Sequence, residues 1–154
     1  MSTTELSPAA QLPSGSNQMV VAADLALSPR AAFDHFVMPH LLALWWPPEA
    51  IVEPRLGGGY RMLWPSMNWE LFGEFTAYEP SERLAFTWQW VHRPELPARA
   101  VDVRFLPADS GCRVVVTHGV YGDTAADQED RQSHIDGWRH FLGQLQSTGK
   151  QEHV

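Results

Sequence analysis

The chain has 154 residues, enough for one domain with a sizeable core, and carries 11 basic against 18 acidic residues for a net charge of −7. No basic stripe is present, so no nucleic-acid partner is expected. The single cysteine, Cys112, excludes an internal disulfide and fits a reducing, cytoplasmic setting; no stretch reaches the roughly 18–20 apolar residues of a membrane span, and the N-terminus lacks the basic and apolar regions of a signal peptide.

Residues 1–16 are rich in Ser, Thr, Pro and Ala and offer little to bury, so a disordered N-terminal tail is expected there. Asn17 to Leu27 is a strand candidate in which Met19, Val21, Ala23, Leu25 and Leu27 share one side. Ser28-Pro29 then opens a helix, with serine as cap and proline at the first helical position, and Ala32, Phe33, Phe36 and Val37 form its buried face. A second short helix starts at Pro39 and leads into Trp45 and Trp46 before Pro47-Pro48 stops it.

From Ile51 the apolar period changes to two. Ile51 to Arg55 is a short strand, and Gly57-Gly58-Gly59 marks a turn or bulge where backbone passes close to backbone. Tyr60, Met62 and Trp64 share one face of the next strand. Trp69, Leu71, Gly73, Phe75 and Ala77 share a face of the one after, with Phe72 and Tyr78 opposite. Leu84, Phe86, Trp88 and Trp90 continue the pattern, followed by Val101, Val103 and Phe105, then Cys112, Val114, Val116 and His118. Thr124 to Gln146 reads as one long amphipathic helix, because Ile135, Trp138, Leu142 and Leu145 recur at spacings of three and four. Thr124 and Asp127 have capping-box spacing, and Gly137, costly in a helix by about 1 kcal/mol, is expected to mark a close backbone approach. Residues 148–154 are expected to form a C-terminal tail.

The order is thus strand, two short helices, six strands and a long helix. Short turns between consecutive strands favour an antiparallel meander, and one apolar face per strand favours a sheet covered on one side. The fold class is α+β, a curved antiparallel sheet gripping the last helix, as a single domain over residues 17–147.

Four local patterns and the last helix resemble a known superfamily. Ser28-Pro29 with Ala32-Phe33 resembles its first-helix start. Pro39-His40-Leu41-Leu42 leading to Leu44-Trp45-Trp46 resembles its "P-x-L…WW" segment, and Gly57-Gly58-Gly59-Tyr60 its glycine-aromatic strand entry. Gly73-Glu74-Phe75, Glu79-Pro80, Arg83-Leu84 and Thr87-Trp88 resemble its central hairpin, and Gly137-Trp138 with Leu142 and Leu145 its last helix. The likeness, over about residues 17–147, is to the START and birch-pollen-allergen group, or SRPBCC, and within it to the family named after activators of the heat-shock-protein ATPase. It implies a helix-grip fold, with a seven-stranded sheet on the C-terminal helix and an apolar cavity between them. It implies no single activity, because one fold hosts carriers, cyclases, hydrolases and co-chaperones.

The expected ligand-binding set is Trp45, Trp46, Tyr60, Met62, Trp64, Trp69, Phe75, Phe86, Trp88, Trp90, Val103, Phe105, His118, Trp138 and Leu142; each also reads as a plain core residue. Trp45 and Trp46 form either one end of a pocket or an anchor for a helix end. His118 points inward and is the candidate catalytic acid or base, against a core histidine bonded to backbone; His134 borders the helix stripe and is placed to meet it. His35 and His40 read as surface residues, and Arg99 as a surface charge or a cationic rim for a carboxylate-bearing ligand. No metal-ligand spacing, catalytic triad or phosphate loop is readable, so no metal and no cofactor is expected. The leading expectation is a non-enzymatic protein that binds a small apolar or amphipathic ligand. A cyclase- or hydrolase-type enzyme in the same cavity and a chaperone-regulating module are the alternatives. A homodimer through an edge strand or the outer sheet face, where Phe72, Tyr78 and Val91 are expected to lie exposed, is also compatible.

Overall fold

The computed structural model describes residues 6–152 in backbone and residues 6–148 in side chain; residues 1–5 of the expected N-terminal tail, and 153–154, lie outside the described residues. Eight strands form one antiparallel sheet: β1 (Ala10–Leu12), β2 (Gln18–Leu25), β3 (Glu49–Val52), β4 (Gly59–Trp64), β5 (Trp69–Glu79), β6 (Arg83–Trp90), β7 (Arg99–Ala108) and β8 (Gly111–Gly119). Their spatial order is β1-β2-β8-β7-β6-β5-β4-β3. The helices are α1 (Pro29–Val37), α2 (Pro39–Leu42) and α3 (Ala125–Glu152). The meander from β3 to β8 is as the turn signals imply, and β2 closes onto β8 over eight residue pairs from Gln18↔Gly119 to Leu25↔Cys112.

The strand count is eight, not seven. The additional strand, β1, lies inside the expected N-terminal tail and pairs Ala10, Gln11 and Leu12 with Ala22, Val21 and Val20. A short edge strand needs only backbone partners and carries almost no apolar signature, which is why composition does not reveal it. At the other end α3 continues through the expected C-terminal tail to Glu152, with the Ser147 and Thr148 hydroxyls bonded back to the Gly143 and Leu145 carbonyls.

The helix starts follow the expected chemistry. The Ser28 hydroxyl accepts from Ala31 N–H at 3.1 Å, and Pro29 takes the first helical position. Thr124 accepts from Asp127 N–H at 3.1 Å, and the Asp127 carboxylate accepts from Arg99 Nη2 at 3.0 Å as well as from the Thr124 side chain. The stripe of α3 is buried as expected at Ile135, Trp138, Leu142 and Leu145.

The central hairpin carries a register shift between Phe75 and Ala77. This bulge rotates Tyr78 off the outer face, and its ring packs edge-on against Phe33 at 5.2 Å, correcting the expected exposure. Phe72 and Val91 are exposed as expected. At Gly73 a Cβ would sit 2.1 Å from the Thr87 carbonyl oxygen, so the hairpin closes only around glycine. Gly73→Ala is expected to cost about 1–3 kcal/mol, read as a lowered urea midpoint with an unchanged slope; an unaltered midpoint would show that β5 and β6 separate freely here. Gly58 is equally confined, with a Cβ 2.2 Å from the Glu53 carbonyl oxygen, matching the close approach expected of the glycine run.

Candidate functional site

The ends of β4, β5 and β6 and one side of α3 line a cleft of about 490 Å³. Six tryptophans line it: Trp46 from the turn after α2, Trp64 from the end of β4, Trp69 from the start of β5, Trp88 and Trp90 from the end of β6, and Trp138 from α3. The rings are set at different angles. Trp46 lies 5.9 Å from Trp88 at 22°, Trp88 meets Trp90 at 88°, and Trp46 meets Trp138 at 4.9 Å and 52°. Trp64 and Trp69 are opposite each other in the β4–β5 register, across the tight turn that Asn68 closes in the left-handed region at φ 57°. Trp69 is 40% exposed and stands at the rim, stacked on His92 at 5.7 Å.

The two adjacent tryptophans part company. Trp46 lines the cleft, but Trp45 is an anchor: its Nε1 donates to the His35 carbonyl at 2.9 Å and its ring packs on Phe36 at 4.8 Å. Tyr60, Met62, Phe75, Phe86, Val103, Phe105 and Leu142 belong to the buried core and do not line the cleft. Tyr60 donates its hydroxyl proton to the Thr87 carbonyl, which ties β4 to β6 under the cleft. His35 is buried as well, correcting its reading as a surface residue: its Nδ1 lies 2.7 Å from the Ala31 carbonyl one turn back.

His118 is inward-facing, as the alternation of β8 predicts, and fully buried. It does not reach the cleft, because Trp88 and Trp138 stand around it. Trp138 Nε1 donates to His118 Nδ1 at 3.1 Å, so the neutral ring carries its proton on Nε2, which has no hydrogen-bond partner among the described residues. Burial holds the His118 pKa well below the ordinary value, helped by His134 and Arg99. The expected meeting with His134 occurs: the rings stack at 4.1 Å and 8°.

His134, unlike His118, lines the cleft. Its Nε2 lies 3.5 Å from a carboxylate oxygen of Asp130, and its Nδ1 is 2.6 Å from the Tyr121 hydroxyl. With the carboxylate beside Nε2, the neutral ring carries its proton there and Tyr121 donates to Nδ1. Burial pushes the His134 pKa down to about 4 against the opposing pull of Asp130, and the Tyr121 pKa is raised by burial.

Arg99 underpins this group. It is 5% exposed, correcting its reading as a rim or surface cation. Its Nε donates to Asp130 at 2.7 Å, its Nη2 to Asp127 at 3.0 Å and its Nη1 to the Val120 carbonyl, and it lies 4.3 Å over the Tyr121 ring. The chain Arg99–Asp130–His134–Tyr121 therefore presents one neutral imidazole and one carboxylate to the cleft, held in place from behind. It can orient a polar group of a bound molecule.

Besides His134, the cleft residues outside the expected ligand-binding set are His92, Arg93 and Leu96 of the β6–β7 loop and the α3 positions Asp130, Ser133, Asp136, Gly137, His140 and Phe141. On α3, positions 130, 133, 134, 137, 138 and 141 recur at spacings of three, four and one. This second stripe beside the apolar one is the signal that identifies them. Gly137 sits in it, and a Cβ there would meet nothing within 4 Å. It faces open space, which corrects the expected backbone contact. Among the described residues no group of three or more His, Cys, Asp or Glu side chains is arranged to hold a metal, and no helix is long and apolar enough to cross a membrane.

A curved antiparallel sheet around a long C-terminal helix, with a cleft between them, defines a helix-grip protein of the SRPBCC type. The chain belongs to the family described as Activator of Hsp90 ATPase homolog 1-like protein, whose model matches residues 26–150. A solved structure from Rhodobacter sphaeroides superposes with a TM-score of 0.81 at 18% identity, covering 92% of this chain and 97% of that one. One from Mesorhizobium loti does so at 0.74 and 21%, covering 84% and 94%. One from Nitrosomonas europaea gives 0.70 and 21%, covering 91% and 98%. These likenesses show the fold. No curated protein matches the chain by sequence.

Proposed function

We propose that the protein binds a small, largely apolar or amphipathic molecule in the tryptophan-lined cleft between the β4–β6 end of the sheet and α3. The observation that carries this is the convergence of six tryptophans, from five separate segments, on a single space of about 490 Å³. That volume lies within the roughly 300–1,000 Å³ of small-molecule sites, and apolar area removed from water there contributes about 25 cal/mol per Å². Asp130, His134 and the rim residue His92 supply the polar contacts that orient the occupant. Binding without turnover is the reading, in a cytoplasmic setting to which a single buried thiol is suited.

Acid–base chemistry in the cleft would fall to His134 and not to His118, since His134 is the one that lines it.

Gly137→Leu gives a test that separates binding from folding, because the new side chain enters open cleft space and replaces a poor helix former. Titration with the neutral solvatochromic dye Nile red is expected to show saturable single-site binding to the natural protein. In Gly137→Leu that binding is expected to weaken on the order of tenfold, with thermal stability retained or raised by up to about 1 kcal/mol. Absence of saturable binding to the folded protein, or binding indifferent to Gly137→Leu, would overturn the reading.

A further inference from the structure

We propose that the cleft selects organic cations, namely a quaternary or alkylated ammonium group carried on an apolar or aromatic body. This rests on the reading of the cleft as a ligand site, and two independent features of the cleft point to it.

The first is the wall. Tryptophan has the strongest negative ring face of the aromatic side chains, and a cation over such a face is held more strongly when it is desolvated than at an exposed site. The tryptophans that line this one volume have ring planes inclined at 22°, 52° and 88° to one another, and Trp69 at the rim is 40% exposed. A flat neutral ligand needs only two parallel walls. A compact alkylammonium, with charge spread over its whole surface, uses walls on several sides.

The second is the charge. The lining carries two carboxylates, Asp130 and Asp136, against one guanidinium, Arg93. Arg93 is already engaged by the carboxylate of Glu95. Arg99, which partners Asp130, is shared with Asp127 and is sealed beneath the cleft. Asp136 stands exposed at the rim; Gln132 donates to one of its oxygens at 3.0 Å, and no cation pairs with it among the described residues. Three imidazoles also line the cleft: burial keeps His134 neutral near pH 7, His92 accepts from Glu70 N–H through Nδ1 at 3.3 Å, and His140 stands exposed with its ring edge-on to Phe141 at 5.0 Å. The excess at the mouth is negative, on a chain whose net charge is −7. A negative mouth leading to negative ring faces attracts a cation and rejects a carboxylate of the same size.

The test is an isosteric series measured by isothermal titration calorimetry at low ionic strength: meta-trimethylammoniophenol, its neutral isostere meta-tert-butylphenol, and the anion meta-hydroxybenzoate. The cation is expected to bind on the order of tenfold more tightly than the neutral isostere. Asp136→Asn is expected to reduce that preference several-fold while leaving the affinity for the isostere unchanged. Equal or tighter binding of meta-tert-butylphenol would overturn the cation proposal and leave the apolar cleft standing. Tightest binding of the benzoate would overturn it in favour of anion recognition through Arg93. Failure of all three to bind the folded protein would remove the cleft reading itself.

Discussion

Arg99→Met is expected to lower the free energy of unfolding by about 3–5 kcal/mol, more than any single change at the protein surface. Arg99 joins the start of β7 to the first turns of α3, and its side chain is almost wholly removed from water. Methionine approximates its length and apolar stem but leaves Asp130, itself largely buried, without its counter-charge. The cost is that of an uncompensated buried carboxylate and not the worth of a surface ion pair, which is about 0–1 kcal/mol. Removing the stranded charges should return much of the loss, so the triple variant Arg99→Met, Asp127→Asn, Asp130→Asn is expected to be more stable than Arg99→Met alone. Urea unfolding followed by tryptophan emission measures both. A loss near 1 kcal/mol in the single variant, or no recovery in the triple, would mean that the carboxylates reach water when Arg99 is gone.

Acidification from pH 7 to pH 4 is expected to strip roughly 3 kcal/mol through His134 alone. Its pKa in the folded protein is about 4, whereas the unfolded chain holds a histidine near its ordinary value of 6.5. Above pH 6.5 both states are neutral at this ring and nothing is lost. Below it the unfolded chain takes up a proton that the folded ring refuses, so stability falls as the pH drops from 6.5 toward 4. His118, pushed down by burial in the same stack, acts in the same direction. The carboxylate of Asp127 is held below its usual range by Arg99, so its contribution disappears only at still lower pH and leaves the histidine window separate. Urea midpoints measured from pH 7.5 to 4.5 should slope downward with acid, and the slope should shrink in His134→Gln. An equal slope in that variant would assign the acid lability to other groups.

These two results depend on partners that the chain brings together from 28 and 31 positions apart at Arg99 and from 16 apart at the stacked histidines. The alternation of β7 and β8 already places Arg99 and His118 on the inward face, and both side chains are buried there. What periodicity omits is the identity of the facing atom. The same inward parity suits a ligand contact, a core histidine or a buried ion pair, and the choice among them rests on the helix laid across the strand ends.

The class of fold is legible in the residue pattern alone. Period-two segments broken by Gly and Pro turns specify the meander, and one stripe at spacings of three and four specifies the gripped helix, because these patterns follow from backbone geometry that every residue shares. Which tryptophans line the cleft depends on long-range packing. Trp45 and Trp46 are neighbours in the chain, yet one is locked to the His35 carbonyl and the other lies against Trp138. Likewise Phe75, Phe86 and Phe105 lie on inward strand faces but belong to the buried core, Phe105 being packed edge-on against Phe33 and Phe36 of α1. The bulge at Phe75 and Ala77, the backbone-only pairing of β1 and the open space at Gly137 were equally undetermined. A side-chain period gives the face a residue occupies; its position along that face relative to the end of the packed layer is set by long-range packing, and in this protein that position separates core from cleft.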